Sequence, residues 1–542
     1  MFREFEEQYS PDAKVASGAS PTVHQLNPGI KRKRSSSAFG EPSSPRAAIE
    51  RSLRNAIVLL VLALGKVCSY KHGVLPHPQS DKGLHTSGAW GSFNHCSNSN
   101  FNSDTSDDCR PRNIDLLPGM AYFAYATDIL GNQPGGHTVV HAQAMILAAL
   151  YIGQFARVLE SWSWINSACR VIVVLIKADY MKLHREFYFS GKDKTSLTPK
   201  ERHRLNLVLC AYWTCVQLES DILAELSTLP SSNVTQYQND IMYPANVYDY
   251  LPMNGKQTMT VAQTEHKLKE DSDMMIYSSQ IWLRVILNEA QNALYDASGN
   301  KSFDPNNVND VSDHAKTHIE VLESWRRVLP PHLAWDDEEP PPTNANIARL
   351  RAKYYGALYV ILRPYLRIAT HHIAYPLSHQ TSHRGGQSSQ HSPPVVSEDI
   401  GTPADRGVQT VELTHEQRKI SAIANQCIDA AIRSTVAFDR IGAPNDRPYE
   451  RYEMQRTSRL VVTNIFGTLH AQFGNMLVLA AVYKSRLYPY LPPNHKLTPD
   501  TLNALFKRTI YVLGEIAPNS PILKLDLDIL ENVWKQLNLP VS

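Results

Sequence analysis

The chain has 542 residues, 43% of them apolar and 20% charged, enough for a large core and for roughly two to four units of ordinary domain size. Its formal net charge of +2 excludes a global electrostatic pull toward nucleic acid or a membrane surface. The seven cysteines are scattered and contain no CxxC pair, which excludes a readable disulfide framework or zinc site and fits a reducing compartment, cytosol or nucleus.

Residues 1–50 are rich in Ser, Pro and charge without periodicity, and are expected to be a disordered basic arm. Within it "KRKR", Lys31, Arg32, Lys33 and Arg34, is the candidate nuclear import signal, with a solvated charge run as the plain alternative. A helix is expected from about Ile49 to Ser69. Its apolar run "AIVLLVLAL" is far shorter than the roughly 20 residues that cross a bilayer, so no membrane span is expected there. A Ser/Asn/Gly/Asp loop follows, and order resumes near Asp115. Helices are then expected over "LLPGMAYFAYATDIL", over "HTVVHAQAMILAALYIGQFARVLESW" taken as one, over "SWINSACRVIVVLIKADYMKL", and from Pro199 to Leu229.

An irregular connection from about Pro244 to Thr264 leads to helices at about 271–296 and 318–328. The prolines of "LPPHLAWDDEEPPPT" forbid helix. "NIARLRAKYYGALYVILRPYLRIATHH" is the next helix. Residues 376–415, full of Ser, His, Gln and Pro, form a second expected disordered insertion. Three or four more helices complete the chain, including "SRLVVTNIFGTLHAQFGNMLVLAAVYKSRL" and a final pair near 501–514 and 524–537. With no sustained period-two pattern and no internal repeat, the expected fold class is all-α, an irregular multi-helix array.

Three stretches invite a chemical reading. "WTCVQLESDILAEL" carries three acids on one helix. At about 100° per residue Asp221 and Glu225 share a wet stripe, whereas Glu219 falls inside the apolar arc and needs a cationic or hydrogen-bonding partner. "WDDEEPPP" holds four acids in a loop that cannot line a helix-walled metal cavity, so a solvated charge run is expected. His371, His372, His379, His383 and His391 run into a segment without the fixed geometry a metal site needs. No Walker loop, GxSxG elbow or HExxH motif occurs, and no catalytic residue is assigned.

The patterns "PGMAYFAYATDILGNQPGGHTVVHAQAMILAALYIGQFARVLESWSWINSACR", "ERHRLNLVLCAYWTCVQLESDILAELSTLP", "RLRAKYYGALYVILRP" and "TNIFGTLHAQFGNMLVLAAVYKS" together resemble the regulatory, or middle homology, region of fungal zinc cluster transcription factors. The resemblance spans roughly residues 50–540. It implies a helical regulatory domain over 51–375 with its core at 111–330, the insertion at 376–415, and C-terminal helices, 416–542, packing on the same domain. It implies a nuclear transcription regulator that is not an enzyme, with a small-molecule effector or a transcriptional co-regulator as partner, no membrane, and compatibility with a homodimer. The family's six-cysteine zinc cluster is absent from these residues, so no cofactor is expected in this chain, and DNA is a partner only with a zinc cluster upstream. Arg170 and Glu219 match family positions and form the candidate structural ion pair.

An all-α enzyme or ligand-binding protein reusing the helices is the alternative. Polar groups converging in a deep pocket would favour that alternative, and an apolar pocket a sensor.

Overall fold

Helix starts are written into the sequence as caps. Ser52, Thr198, Thr414, Thr498 and Ser520 each accept a hydrogen bond from a backbone N–H three residues on. At Thr198 and Thr414 the residue three positions later, Glu201 or Gln417, returns the bond and closes a capping box. Pro199, Pro499 and Pro521 occupy first helical positions, where the missing N–H costs nothing.

The computed structural model describes residues 49–70, 74–76, 113–185, 197–244, 261–295, 308–372, 413–444 and 446–539. Lys31 to Arg34, nearly all of the loop after the first helix, most of the connection before residue 261, His379, His383, His391 and nearly all of the insertion lie outside them. The main helices are α1 (Leu53–Ser69), α2 (Met120–Gly131), α3 (Val139–Gly153), α4 (Val158–Leu183), α5 (Pro199–Leu223), α6 (Val261–Tyr295), α7 (Val308–Arg327), α8 (Ala345–His372), α9 (His415–Val436), α10 (Ile465–Lys484), α11 (Pro499–Ile516) and α12 (Pro521–Leu537). Among the described residues the only β pairing is an isolated bridge between His184 and Ile241, so the all-α class holds.

Several helix boundaries differ from the periodicity. The stretch expected as one helix from His137 breaks at Gly153, and Ala156, at φ 55°, turns the chain so that α4 starts at Val158. α5 ends at Leu223 rather than Leu229, while α6 starts about ten residues early and α7 likewise. α10 begins only at Ile465, because the Asn464 side chain accepts from Gly467 N–H and caps it there. Gly119, at φ +82°, opens α2 where a Cβ would stand 2.5 Å from the Ala63 carbonyl oxygen, so α1 and α2 meet backbone to backbone.

Successive helices pack on one another from α1 to α5, with small cores around Leu60, Tyr151 and Trp213. α6 to α12 share the largest core, which runs from Ile276 through Tyr355 and Phe466 to Leu537. The C-terminal helices therefore belong to the same packed body as α6–α8. α4 and α10 are long and apolar enough to cross a membrane by length and composition, and both are packed within this array.

Candidate functional site

Where α5 and its following loop meet α6, α8, α9 and α10, the helices leave a cavity of about 1170 Å³. Helical spacing decides what faces it. Asp221 on α5 and Glu225 in the turn that follows it, Arg284 and Asn288 on α6, and Arg349, Lys353, Gly356, Val360 and Arg363 on α8 recur at three to four residues, so each set lies along one side of its segment. α10 adds Gly467, Thr468, Gln472, Gly474 and Asn475.

The "wet stripe" of Asp221 and Glu225 thus faces a partly open cavity between the helices, and both residues are half-buried. Arg284 Nη2 donates to Asp221 Oδ1, and Lys353 Nζ donates to Oδ1 and Oδ2 at 3.1 and 3.0 Å. Burial alone would raise the Asp221 carboxyl, but Arg284, Lys353 and Arg349 outweigh it and hold it at about 2. Burial pushes Lys353 the other way, down to about 7, with Arg284 and Arg349 adding to the effect and Asp221 opposing it. Arg349 is lowered chiefly by burial. Glu225 is raised by burial, with His470 opposing. One acid and one base in the same cavity are thereby displaced toward neutrality.

Arg284 is 6% exposed, and its Nε and Nη1 are buried without a hydrogen-bond partner among the described residues. Arg349 makes no hydrogen bond among the described residues. Gln472 accepts from Arg508 through Oε1, which leaves its buried Nε2 without a partner. Arg363 lies over the Tyr295 and Tyr359 rings, 4.7 and 5.9 Å from their centroids.

Glu219 does not face this cavity. It is fully buried, as its helical phase required, but the expected ion pair with Arg170 is not formed. Glu219 instead accepts from Ser232 N at 2.9 Å and Ser232 Oγ at 2.8 Å, tying the loop after α5 back to the helix. Arg170 is exposed on the outer side of α4 and donates to Ser167 Oγ at 3.1 Å. The physical reason is that backbone and hydroxyl donors satisfy a buried carboxylate without desolvating a second charge. Glu219→Ala should therefore cost about 1–3 kcal/mol by leaving the Ser232 N–H unpaired, and Arg170→Ala should change stability by less than about 0.5 kcal/mol. Urea denaturation of both variants separates the two arrangements, since an ion pair would make both costly.

The acids of "WDDEEPPP" lie in a loop where Asp336, Glu338 and Glu339 are exposed, the solvated charge run expected, and three of the four also form ion pairs. Asp337 accepts from Arg326 and from Tyr355 Oη at 2.8 and 2.7 Å. Glu338 meets Lys496 and Arg433 at 3.0 and 3.1 Å, and Glu339 meets Arg351 at 2.8 Å. The loop brackets α7, α8 and α9. Among the described residues no group of three or more His, Cys, Asp or Glu side chains could hold a metal ion.

Against known protein families, curated proteins and solved structures, the chain has no match.

Proposed function

We propose that this chain is a nuclear transcription regulator of the fungal zinc cluster kind, represented by its helical regulatory region, and that a polar small molecule bound in the α5–α6–α8–α10 cavity is its effector. The observation that carries the reading is the cavity itself. It is large enough for a metabolite, its walls come from five helices far apart in sequence, and its lining converges polar and charged groups on one space. The lining is mixed, with Leu283, Leu287, Val360 and Leu477 beside the charged groups, between the apolar pocket expected of a sensor and the polar one expected of the alternative. A regulator with a polar effector satisfies both. A second reading, an all-α enzyme, has one observation in its favour: a lysine lowered to about 7 and a raised carboxyl in one cavity are suited to proton transfer.

The regulator reading is tested by fusing the full chain to a heterologous DNA-binding module at a reporter promoter in a fungal cell. Reporter output should change several-fold relative to the module alone. Its dependence on growth conditions should weaken in Gly474→Trp, because a Cβ at Gly474 meets nothing within 4 Å and the indole takes up part of the cavity. Output equal to that of the bare module overturns the reading.

A further inference from the structure

The cavity lining is unbalanced in charge. Arg284, Arg349, Lys353 and Arg363 face Asp221 and Glu225, four cationic side chains against two acidic ones. Of the two acids, only Asp221 touches a cation, and it is already shared between Arg284 and Lys353. A guanidinium carries five N–H donors in a rigid fork suited to the paired oxygens of a carboxylate or phosphate. Arg284 spends one edge on Asp221 and leaves Nε and Nη1 buried without a hydrogen-bond partner among the described residues. Buried donors without acceptors are costly, so the site is incomplete as it stands. Arg349 and the Gln472 amide nitrogen add further donors without hydrogen-bond partners around the same space.

We infer that the cavity is an oxyanion site, which takes a small organic molecule carrying a carboxylate or phosphate group held by Arg284, Arg349 and Lys353. Asp221 then acts as an internal counter-ion, holding Arg284 and Lys353 in place until the ligand anion supplies the acceptors they lack. The volume exceeds that of an inorganic ion many times over, so the rest of the molecule lies along Tyr295, Tyr359 and the amides of α10. The inference rests on the cavity being the effector site.

Lys353 faces Asp221 from α5, Arg284 from α6 and Arg349 from its own helix, while Glu225 and His470 sit nearby in the charge network. An incoming anion favours the charged lysine, so the complex takes up a proton where the free protein has lost one. Affinity should be full below pH 7 and fall as pH rises above it, by up to about tenfold for each step of one in pH.

The test is calorimetric titration of the full chain, at constant ionic strength, with citrate as the carboxylate probe, pyrophosphate as the phosphate probe and trehalose as a neutral control. At least one anion should bind saturably, about tenfold or more weaker in Arg349→Gln and in Lys353→Gln, and weaker at pH 8.5 than at 6.5. Both substituted side chains border the cavity without anchoring the core, and a thermal melt of each variant checks that it is folded. The inference is overturned if neither anion binds, or if the charge-removing variants bind as well as the parent. Saturable binding of trehalose alone would overturn the anion assignment while leaving a cavity effector standing. Anion binding with a silent reporter would remove the regulator and leave the oxyanion site.

Discussion

Exchanging Lys353 for methionine is expected to stabilise the unliganded protein at pH 6 by roughly 2–4 kcal/mol, the reverse of most substitutions at half-buried sites. The lysine sits beside Arg284 and Arg349, and burial together with these like charges lowers it from 10.5 to about 7. Each tenfold weakening of proton binding corresponds to about 1.4 kcal/mol, and the expected gain is set below what the whole displacement would give because the cavity admits some solvent. Methionine keeps the apolar stem and omits the charge. Asp221 keeps Arg284, so no carboxylate is left unpaired.

The pH dependence has a definite sign. Between about 7 and 10.5 the folded lysine is neutral while the unfolded one is charged, so the unfolded state binds more protons and stability rises with pH. The variant lacks this gain. Its advantage should be constant below pH 7 and shrink above it, by no more than about 1.4 kcal/mol for each step of one in pH. Urea titrations of both proteins at pH 6, 8 and 9 measure the gap directly. A gap that is absent at pH 6, or that widens with pH, would show that Lys353 is not held under strain. The same variant should lose the ligand anion, so stability and binding oppose one another at this position.

Local features were readable along the chain, and non-local ones were not. The start at Pro199 was legible, whereas the first helix, expected from Ile49, begins only after its cap at Ser52, although a capping bond spans just three residues. The helical phase of "WTCVQLESDILAEL" correctly separated buried Glu219 from Asp221 and Glu225. It could not tell a flat outer surface from a partly open cavity. The cations that meet Asp221 arrive from 63 and 132 positions away, on helices whose own phase carries no record of their partners. Arg349 and Lys353, four apart on a helix that also carries Arg351, Arg363 and Arg367, were the available signal for the cavity's basic wall. Arg170 failed as a partner for the same reason. Choosing a mate for a buried charge needs the direction of a neighbouring helix, and Ser232, thirteen residues on in a loop, is not singled out by any periodicity. The break at Ala156 was equally hidden, since alanine favours helix and only packing holds it at positive φ.

Asp439→Ala is expected to destabilise the protein by about 3–5 kcal/mol, the range for removing one partner of a buried ion pair. Asp439 is fully buried and Arg508 is 5% exposed. Arg508 Nε donates to Asp439 Oδ1 and Oδ2 at 2.9 and 3.0 Å, Nη2 adds a further bond, and Nη1 donates to Gln472 Oε1. Removing the carboxylate strands a guanidinium where water cannot reach it. Removing both charges in Asp439→Leu/Arg508→Met should cost clearly less than the single change, because an apolar pair carries no desolvation penalty. The Gln472 bond links this pair to the cavity, since Arg508 fixes which way the Gln472 amide points. Arg508→Met should thus free the amide to turn and should weaken anion binding even in the double variant whose stability is largely restored. Guanidinium unfolding of the two single variants and the double variant, with citrate and pyrophosphate titrations of the double variant, separates the contributions. A loss below about 1 kcal/mol in Asp439→Ala would mean that solvent reaches the pair, and unchanged anion affinity in the double variant would mean that Gln472 holds its orientation without Arg508.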